Sequence, residues 1–264
     1  MHKEQILYED KDIIVCYKPV GVATQTAKIG QADMVSEVAN YLARAAKNSV
    51  TNPGSGEKVG QPIGGNPYVG VVHRLDQPVE GILVFAKNPK AAGLLSRQIN
   101  ENQTEKYYYA VACDGRESGE TDIADKGTLV DYLYKDGKSN TTSVVSKEHK
   151  GAKRAELFYE VREQMAVKEL LDAPDMAEQE LLLVKIKLVT GRHHQIRVQM
   201  SHAGMGLLGD YKYADEQVKK LSELLQQKQV ALCACELAFR HPRTGEKLWF
   251  QKMPESAIFQ KFAL

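Results

Sequence analysis

The chain has 264 residues, of which 43% are hydrophobic and 26% charged, and its formal net charge is +1. A chain of this length and composition can build a substantial core, which excludes disordered, collagen-like and disulfide-stapled proteins. No apolar run reaches the roughly 18–20 residues that span a bilayer, and the polar, acidic start is not a secretory signal. Four cysteines without a CxxC pair are typical of small hydrophobic residues in a reducing compartment. We therefore expect a cytoplasmic protein without a membrane partner.

Short apolar runs separated by turn residues dominate the chain, and three stretches have helical spacing. Asn88 and Pro89 provide a cap and a first-turn proline for the second helix, and Gly204 closes the third. Because strands and helices do not alternate strictly, the pattern favours an α+β fold with a mixed, largely antiparallel sheet. The predicted elements are, in chain order, strand 13–17, helix 35–46, strand 82–86, helix 89–99, strands 107–112, 141–145, 155–161 and 182–189, helix 192–203, and strands 231–239 and 248–251.

Residues 51–70 contain six glycines and three prolines. We interpret them as a surface loop and not as a domain linker, because about 50 preceding residues are too few for a separate folded unit. The segment lacks the GK[ST] ending of a phosphate-binding loop, which argues against a nucleotide cofactor.

Charge is unevenly distributed along the chain. Residues 181–264 hold 13 Lys and Arg against 7 Asp and Glu, whereas residues 1–180 hold 22 against 27. Coulomb attraction would draw an anionic partner such as nucleic acid to the last third. An ordinary mixed-charge surface explains the same numbers equally well.

The first segment with candidate chemistry is 69–87, which places His73, Arg74 and Asp76 between two apolar stretches. Polar groups in a connection between rigid strands are well placed for function. Neighbouring guanidinium groups favour the ionised carboxylate, so Asp76 would act as a nucleophile or a base and not as a proton donor. The alternative is an ion pair that only ties the loop.

The second segment places Arg192, His193, His194 and Arg197 at the start of the third predicted helix. A helix N-terminus and guanidinium groups favour phosphate or carboxylate, and arginine also stacks on bases. A solvated basic helix start is the alternative. Adjacent histidines on a helix point about 100° apart, and no thiolate or carboxylate has ligand spacing beside them, so we expect no metal.

Three consecutive tyrosines occupy the predicted strand 107–112. Tyr107 and Tyr109 would share one face of the sheet, and Tyr108 would lie on the other. Aromatic strand residues usually serve packing, but one tyrosine beside a basic cleft can stack on a nucleobase, which is worth about 1–3 kcal/mol.

Together these segments resemble the RluA-type family of RNA pseudouridine synthases. The matches are ordered and span most of the chain, which makes the resemblance specific. In chain order they are KPxG at 18–21, HRLD at 73–76 with GILVxAK at 81–87, KxYxA at 106–110, GRxHQIR at 191–197 with GDxxY at 209–213, FxHP at 239–242 and TGE at 244–246.

The resemblance implies a bisected sheet with flanking helices and a central cleft, and isomerisation of uridine in structured RNA (tRNA or rRNA) without metal or other cofactor. It implies that Asp76 is the essential carboxylate, that Tyr108 lies against the target base and that Arg197 pairs with Asp76. We expect a monomer with one catalytic domain over 1–264 and no separate N-terminal RNA-binding domain. The expected substrate contacts are His73, Arg74, Lys106, Arg192, His194 and Gln195.

The chain departs from the family pattern most clearly at Val79 and Glu80, where relatives usually carry Thr and Ser. Such departures bear on substrate choice. The other departures are His193, Gly206, Ala214 and Cys233, where Thr, Pro, Gly and His are usual.

Two other functions stay open: an RNA-binding or chaperone protein without turnover, and a carbohydrate or nucleotide hydrolase that uses Asp76 together with Glu80.

Overall fold

A 12-stranded sheet runs through the molecule in a computed structural model that describes residues 3–26, 30–50, 67–114, 124–171 and 179–264. The helices are α1 (Met34–Val50), α2 (Pro89–Asn100), α3 (Gln195–His202) and α4 (Glu216–Leu224). The strands are β1 (Ile6–Glu9), β2 (Ile13–Lys18), β3 (Gly70–Val71), β4 (Glu80–Ala86), β5 (Glu105–Asp114), β6 (Lys126–Asp136), β7 (Thr141–Val145), β8 (Lys153–Ala166), β9 (Glu180–Leu188), β10 (Met205–Leu207), β11 (Leu232–Arg240) and β12 (Lys247–Gln251).

The sheet is divided near its middle by one short parallel pairing. Its main strand order is β1-β2-β4-β11-β5-β9-β8-β6-β7, with β3 on β4, β10 on β5 and β12 on β11. β4 and β11 are parallel neighbours, whereas every other pairing between these strands is antiparallel. The mixed, largely antiparallel α+β sheet expected from the sequence is confirmed.

Helices cover both faces of the central strands. On one face, α1 and α3 pack against alternate residues of β2 and β5, including Cys16 and Tyr108. On the other face, α2, α4 and a C-terminal 3₁₀ helix (Ala257–Lys261) pack against the intervening residues. All residues of β2 and β4 are buried, as expected for strands with apolar layers on both sides. All four cysteines are buried.

The sequence patterns located most of these elements but missed others. β1, β6 and α4 were not expected. The third helix begins at Gln195 and not at Arg192, because His194 has a φ of 52° in the left-handed region and cannot belong to the helix. Most of the predicted loop 51–70 lies outside the described residues, and its last residue begins β3. Among the described residues, no helix has the length and apolarity that a membrane span requires.

Gly81 permits the close approach of β4 and β11. Its φ is +130°, and a Cβ atom there would lie 2.5 Å from the backbone N and O of Ala234. We expect Gly81→Ala to lower the free energy of unfolding by about 2–4 kcal/mol through strain and overpacking. Gly93→Ala is the matched control, because Gly93 is an exposed helical residue with open space around its Cβ position.

Chemical denaturation measures both variants. Gly93→Ala should raise stability by about 0.5–1 kcal/mol, since alanine is the better helix former. If Gly81→Ala were as stable as the wild-type protein, this description of the parallel junction would be wrong.

Candidate active site

The connection between β3 and β4 carries Asp76 to the parallel junction of the sheet. Hydrogen bonds to a separate segment fix its backbone. The Thr24 hydroxyl donates to Leu75 O and accepts from Leu75 N, at 2.9 and 3.1 Å. Gly21 N donates to Gln77 O at 3.0 Å. The segment after β2 therefore holds the backbone on both sides of Asp76.

Lys18, the last residue of β2, also holds the loop that carries Asp76. Its buried amine donates to three backbone carbonyls, those of Pro19, Val22 and Gln77, at 3.0, 2.5 and 3.1 Å. Burial lowers the pKa of Lys18 to about 8, against the opposing effect of the Asp76 and Glu80 charges. A buried ammonium that uses all three of its donors is a rigid tie between β2 and the loop.

Arg197 is the cation beside Asp76, but its main partner is Asp210. Its Nε and Nη2 donate to the two Asp210 carboxylate oxygens, each at 2.7 Å. The remaining nitrogen, Nη1, donates to Asp76 Oδ2 at 3.3 Å. Although burial opposes the charge, the hydrogen bond and charge of Asp210 raise the pKa of Arg197. The expected contact between Arg197 and Asp76 is therefore present, as one arm of a three-residue cluster.

His194 makes the second polar contact to Asp76. Its Nε2 lies 3.5 Å from Asp76 Oδ2, and its Nδ1 lies 2.5 Å from the Tyr213 hydroxyl. The Tyr213 ring also lies against Arg197, whose guanidinium carbon is 5.0 Å from the ring centroid. His194 and Tyr213 thus belong to the group of side chains that surrounds the Asp76 carboxylate.

Asp76, His194 and Arg197 line a cavity of about 420 Å³. Tyr108 contributes from β5, where burial and the Asp76 charge raise its pKa. Lys106 contributes from the same strand, and burial lowers its pKa. The structure brings all nine residues singled out from the sequence to this cavity, which are His73, Arg74, Asp76, Lys106, Tyr108, Arg192, His194, Gln195 and Arg197.

His73 fills a gap in the sheet beside the cavity. On the edge of β4 that faces away from β2, β11 covers the first two residues and β3 covers the last two. His73 Nε2 accepts the intervening Val84 N–H at 3.0 Å. Burial, followed by the Lys106 charge, lowers the pKa of His73 to about 3. His73 is therefore a neutral ring held in place by the sheet.

The other expected substrate contacts, Gln195, Arg74 and Arg192, differ in how far their polar atoms are already hydrogen-bonded within the protein. The buried Gln195 amide is saturated: it accepts from Thr190 Oγ1 and Arg192 N, and donates to Glu156 O and Gln199 Oε1. Gln195 consequently holds the turn before α3 in shape. Arg74 and Arg192 are exposed at the cavity, where their charges face solvent.

Glu80 does not join Asp76 at the cavity. It is buried and accepts hydrogen bonds from the Tyr17 hydroxyl and from the backbone N–H groups of Glu255 and Ser256. These contacts tie β4 to the C-terminal segment. A hydrolase that pairs Asp76 with Glu80 therefore has no support in the geometry.

A second concave region, of about 550 Å³, lies on the opposite face of β5 and includes Tyr107 and Phe158. Two of its cations already have carboxylate partners, since Lys185 pairs with Glu236 at 2.6 Å and Arg162 with Glu160 at 3.1 Å. Lys126 and Lys187 also line this region, so two of its four cations are paired with carboxylates.

One cluster of described residues has metal-ligand chemistry: Asp10, Asp12 and His241, whose ligand atoms lie within 4.8 Å of one another. Protein donors already occupy it. His241 Nδ1 accepts two backbone N–H groups, which leaves Nε2 to donate to Asp10 at 2.8 Å. Arg243 Nε donates to Asp12 at 2.6 Å. The cluster ties the last strands to the start of the chain.

Sequence reasoning gave no role to three residues of the site, Thr142, Asp210 and Tyr213. Asp210 and Tyr213 stand in the GDxxY match, which was the available signal. Thr142 had none, because it reaches the site from β7 through contacts with His193 and Tyr213.

Comparison with known proteins supports the resemblance to RNA pseudouridine synthases. The model of the RNA pseudouridylate synthase family matches residues 12–202. A tRNA pseudouridine synthase C from Haemophilus ducreyi is 29% identical over 92% of this chain and 88% of its own length. An uncharacterised RNA pseudouridine synthase from Bacillus subtilis, YlyB, is 32% identical over 95% of this chain and 69% of its own length. The ribosomal large subunit pseudouridine synthase D of Pasteurella multocida is 29% identical over 96% of this chain and 68% of its own length.

Among solved structures, human RNA pseudouridylate synthase domain containing 1 has a TM-score of 0.66 at 19% identity and covers 95% of this chain and 83% of its own. Human RNA pseudouridylate synthase domain containing 4 has a TM-score of 0.64 at 22% identity and covers 96% of this chain and 89% of its own. These two structures support the fold. The family match and the sequence relatives identify the chain as a member of the RluA family of RNA pseudouridine synthases, isomerases that act on RNA.

The Arg197–Asp210 pair is expected to be essential for stability. Arg197→Met would leave the Asp210 carboxylate, which is 1% exposed, without its cation. We expect a loss of about 3–5 kcal/mol in the free energy of unfolding. Combining Arg197→Met with Asp210→Asn should cost less than the sum of the two single changes, because the double variant has no uncompensated buried charge. Urea denaturation checks the cycle, and strictly additive effects would contradict it.

Proposed function

We propose that this chain converts uridine to pseudouridine in structured RNA, either tRNA or rRNA, with Asp76 as the essential carboxylate. The observation that carries the proposal is the Asp76 carboxylate, which a buried arginine holds at a cavity that Tyr108 lines. The names of two relatives, a tRNA pseudouridine synthase and a large-subunit ribosomal one, support both RNA classes.

The reaction is an isomerisation. The bond between uracil N1 and ribose C1′ breaks, a bond between C5 and C1′ forms, and the C5 proton is lost while N1 gains one. An ionised carboxylate can start it in two ways: by attacking C1′, or by removing a ribose proton to give a glycal. Both routes need the negative charge of the Asp76 carboxylate, whose Oδ2 lies 3.3 Å from the Arg197 guanidinium. Because no atoms or electrons are exchanged with another molecule, the chemistry requires no cofactor.

The target uridine has to leave its stack before Asp76 can reach the sugar, which costs a few kcal/mol. The cavity has a volume within the roughly 300–1,000 Å³ typical of ligand pockets. In this proposal Tyr108 lies against the extruded base. Arg74, Lys106 and Arg192 contact phosphates, and His73 supports the base as a neutral ring. We further propose that the protein acts in the cytoplasm, as a monomer with one catalytic domain over 1–264.

The direct test is Asp76→Asn. This variant keeps the size of the side chain but removes its charge, so we expect no detectable pseudouridine formation with RNA binding within a few-fold of wild type. Asp125→Asn is the matched control: it makes the same change at an exposed carboxylate outside the cavity, and activity should remain. Site-resolved pseudouridine mapping of RNA from a strain lacking the gene, incubated with each protein, gives the readout.

Pseudouridine formation by Asp76→Asn would overturn the role of Asp76. A wild-type protein that binds RNA without forming pseudouridine would instead favour the RNA-binding or chaperone alternative. Release of free uracil would favour a hydrolase.

The basic surface at the cavity predicts salt-dependent RNA binding. Arg192 and Lys212 are exposed cations at the site. Arg192→Ala and Lys212→Ala should each reduce the slope of log K against log salt by about 0.7–0.9, which is the effect of one lost phosphate contact. Lys247→Ala is the control, because Lys247 pairs at 2.5 Å with Glu105 on the opposite face of the sheet. Filter binding over a salt series measures the slopes, and equal slopes for all four proteins would contradict this footprint.

A further inference from the structure

His194 has a left-handed backbone conformation. Its φ and ψ are 52° and 24°, a region in which residues other than glycine are uncommon. It stands just before α3, yet its side chain does not cap the helix. The conformation instead turns the imidazole toward Asp76. Backbone strain of this kind persists where the surrounding structure holds it, and it is concentrated at functional sites.

A chain of hydrogen bonds determines which imidazole nitrogen carries the proton. The Thr142 backbone N–H donates to the Tyr213 hydroxyl at 3.0 Å. The Tyr213 O–H can then donate to His194 Nδ1, 2.5 Å away. In a neutral ring this leaves the proton on Nε2, the nitrogen that faces Asp76 Oδ2 at 3.5 Å. The opposite tautomer would place a lone pair against the carboxylate.

The surroundings keep this ring neutral and in place. Burial lowers the pKa of His194 to about 4, in spite of the Asp76 charge. The His193 ring stacks on it with centroids 3.7 Å apart, and His193 Nδ1 lies 2.8 Å from Thr142 Oγ1. Thr142 thus fixes both rings. The charged and titratable groups that face His194 are Asp76, His193, Arg197, Lys212 and Tyr213.

We propose that His194 is a positioning residue for Asp76: its neutral Nε2–H donates to the carboxylate, and Tyr213 sets the tautomer. The proposal rests on the proposed function of Asp76 and replaces the substrate contact expected of His194 from the sequence. Arg197 supplies the charge beside Asp76, while His194 supplies a directional donor on Oδ2. The 3.5 Å separation shortens when substrate binds, as catalytic hydrogen bonds commonly tighten in the substrate complex.

Two substitutions at His194 separate this role from a substrate contact. His194→Asn suits the left-handed backbone but is too short to reach Asp76, whereas His194→Gln can place an amide N–H near the Nε2 position. A hydrogen bond to a charged group is worth about 1.5–3 kcal/mol, which corresponds to roughly 10- to 100-fold in rate. We expect His194→Asn to lose about that much kcat with the KM for RNA within about 3-fold of wild type, and His194→Gln to recover most of it.

Tyr213→Phe extends the kinetic test. Tyr213→Phe keeps the ring against Arg197 and removes only the hydroxyl, so it should lower kcat in the same direction. A rise in KM without a change in kcat would overturn the proposal in favour of a substrate contact.

A spectroscopic readout is independent of catalysis. In wild-type protein with ¹⁵N-labelled histidine, the His194 resonances, assigned by their loss in His194→Gln, should show a protonated Nε2 and an unprotonated Nδ1 at neutral pH. Tyr213→Phe should weaken this preference. A protonated Nδ1 in the wild-type protein would overturn the proposal even if the chain proved to be an active synthase. If the expected tautomer is found but the protein forms no pseudouridine, the proposed function is wrong and the hydrogen-bond arrangement at His194 is not.

Discussion

Arg197 is a buried cation between two carboxylates, and the site depends on this arrangement. A buried guanidinium is tolerated only with compensating charge and satisfied donors. Asp210 satisfies two nitrogens, at 2.7 Å each, and so fixes the direction of the third, which points to Asp76. Because Arg197 lies on α3 and Asp76 lies before β4, the pair joins two segments that are 121 residues apart. Tyr213 then packs on the same guanidinium and brings His194 into the cluster.

The sheet provides the rigid half of this arrangement. The parallel junction of β4 and β11 interrupts an otherwise antiparallel sheet, and Gly81 allows the two strands to approach there. Lys18 anchors the Asp76 loop to the end of β2, so the carboxylate is held by backbone ties on one side and by side-chain donors on the other. Such a loop loses little conformational freedom when substrate binds, which favours catalysis by a preorganised group.

The central strands could be predicted from the sequence for a physical reason, whereas the pairing of Asp76 with Arg197 was expected from the family resemblance. β2 and β4 are buried on both faces and therefore appear as continuous apolar runs. Asp76 and Arg197 stood in charged motifs at the ends of apolar segments. β6 was missed because it is mostly half-buried or exposed, and the start of α3 because nothing in a histidine signals a left-handed φ. The role of Asp210 was missed because the choice between two carboxylates for one arginine is made by tertiary contacts.

The proposed function places the target uridine in the Asp76 cavity. A structure of the Asp76→Asn variant bound to a substrate RNA stem-loop would show where the RNA binds. An extruded uridine should lie in the cavity, with its base against Tyr108 and its ribose C1′ about 3–3.5 Å from the substituted side chain, as a near-attack geometry requires. RNA seated on the opposite face of the sheet, against Tyr107 and Phe158, with every uridine outside the Asp76 cavity, would contradict it.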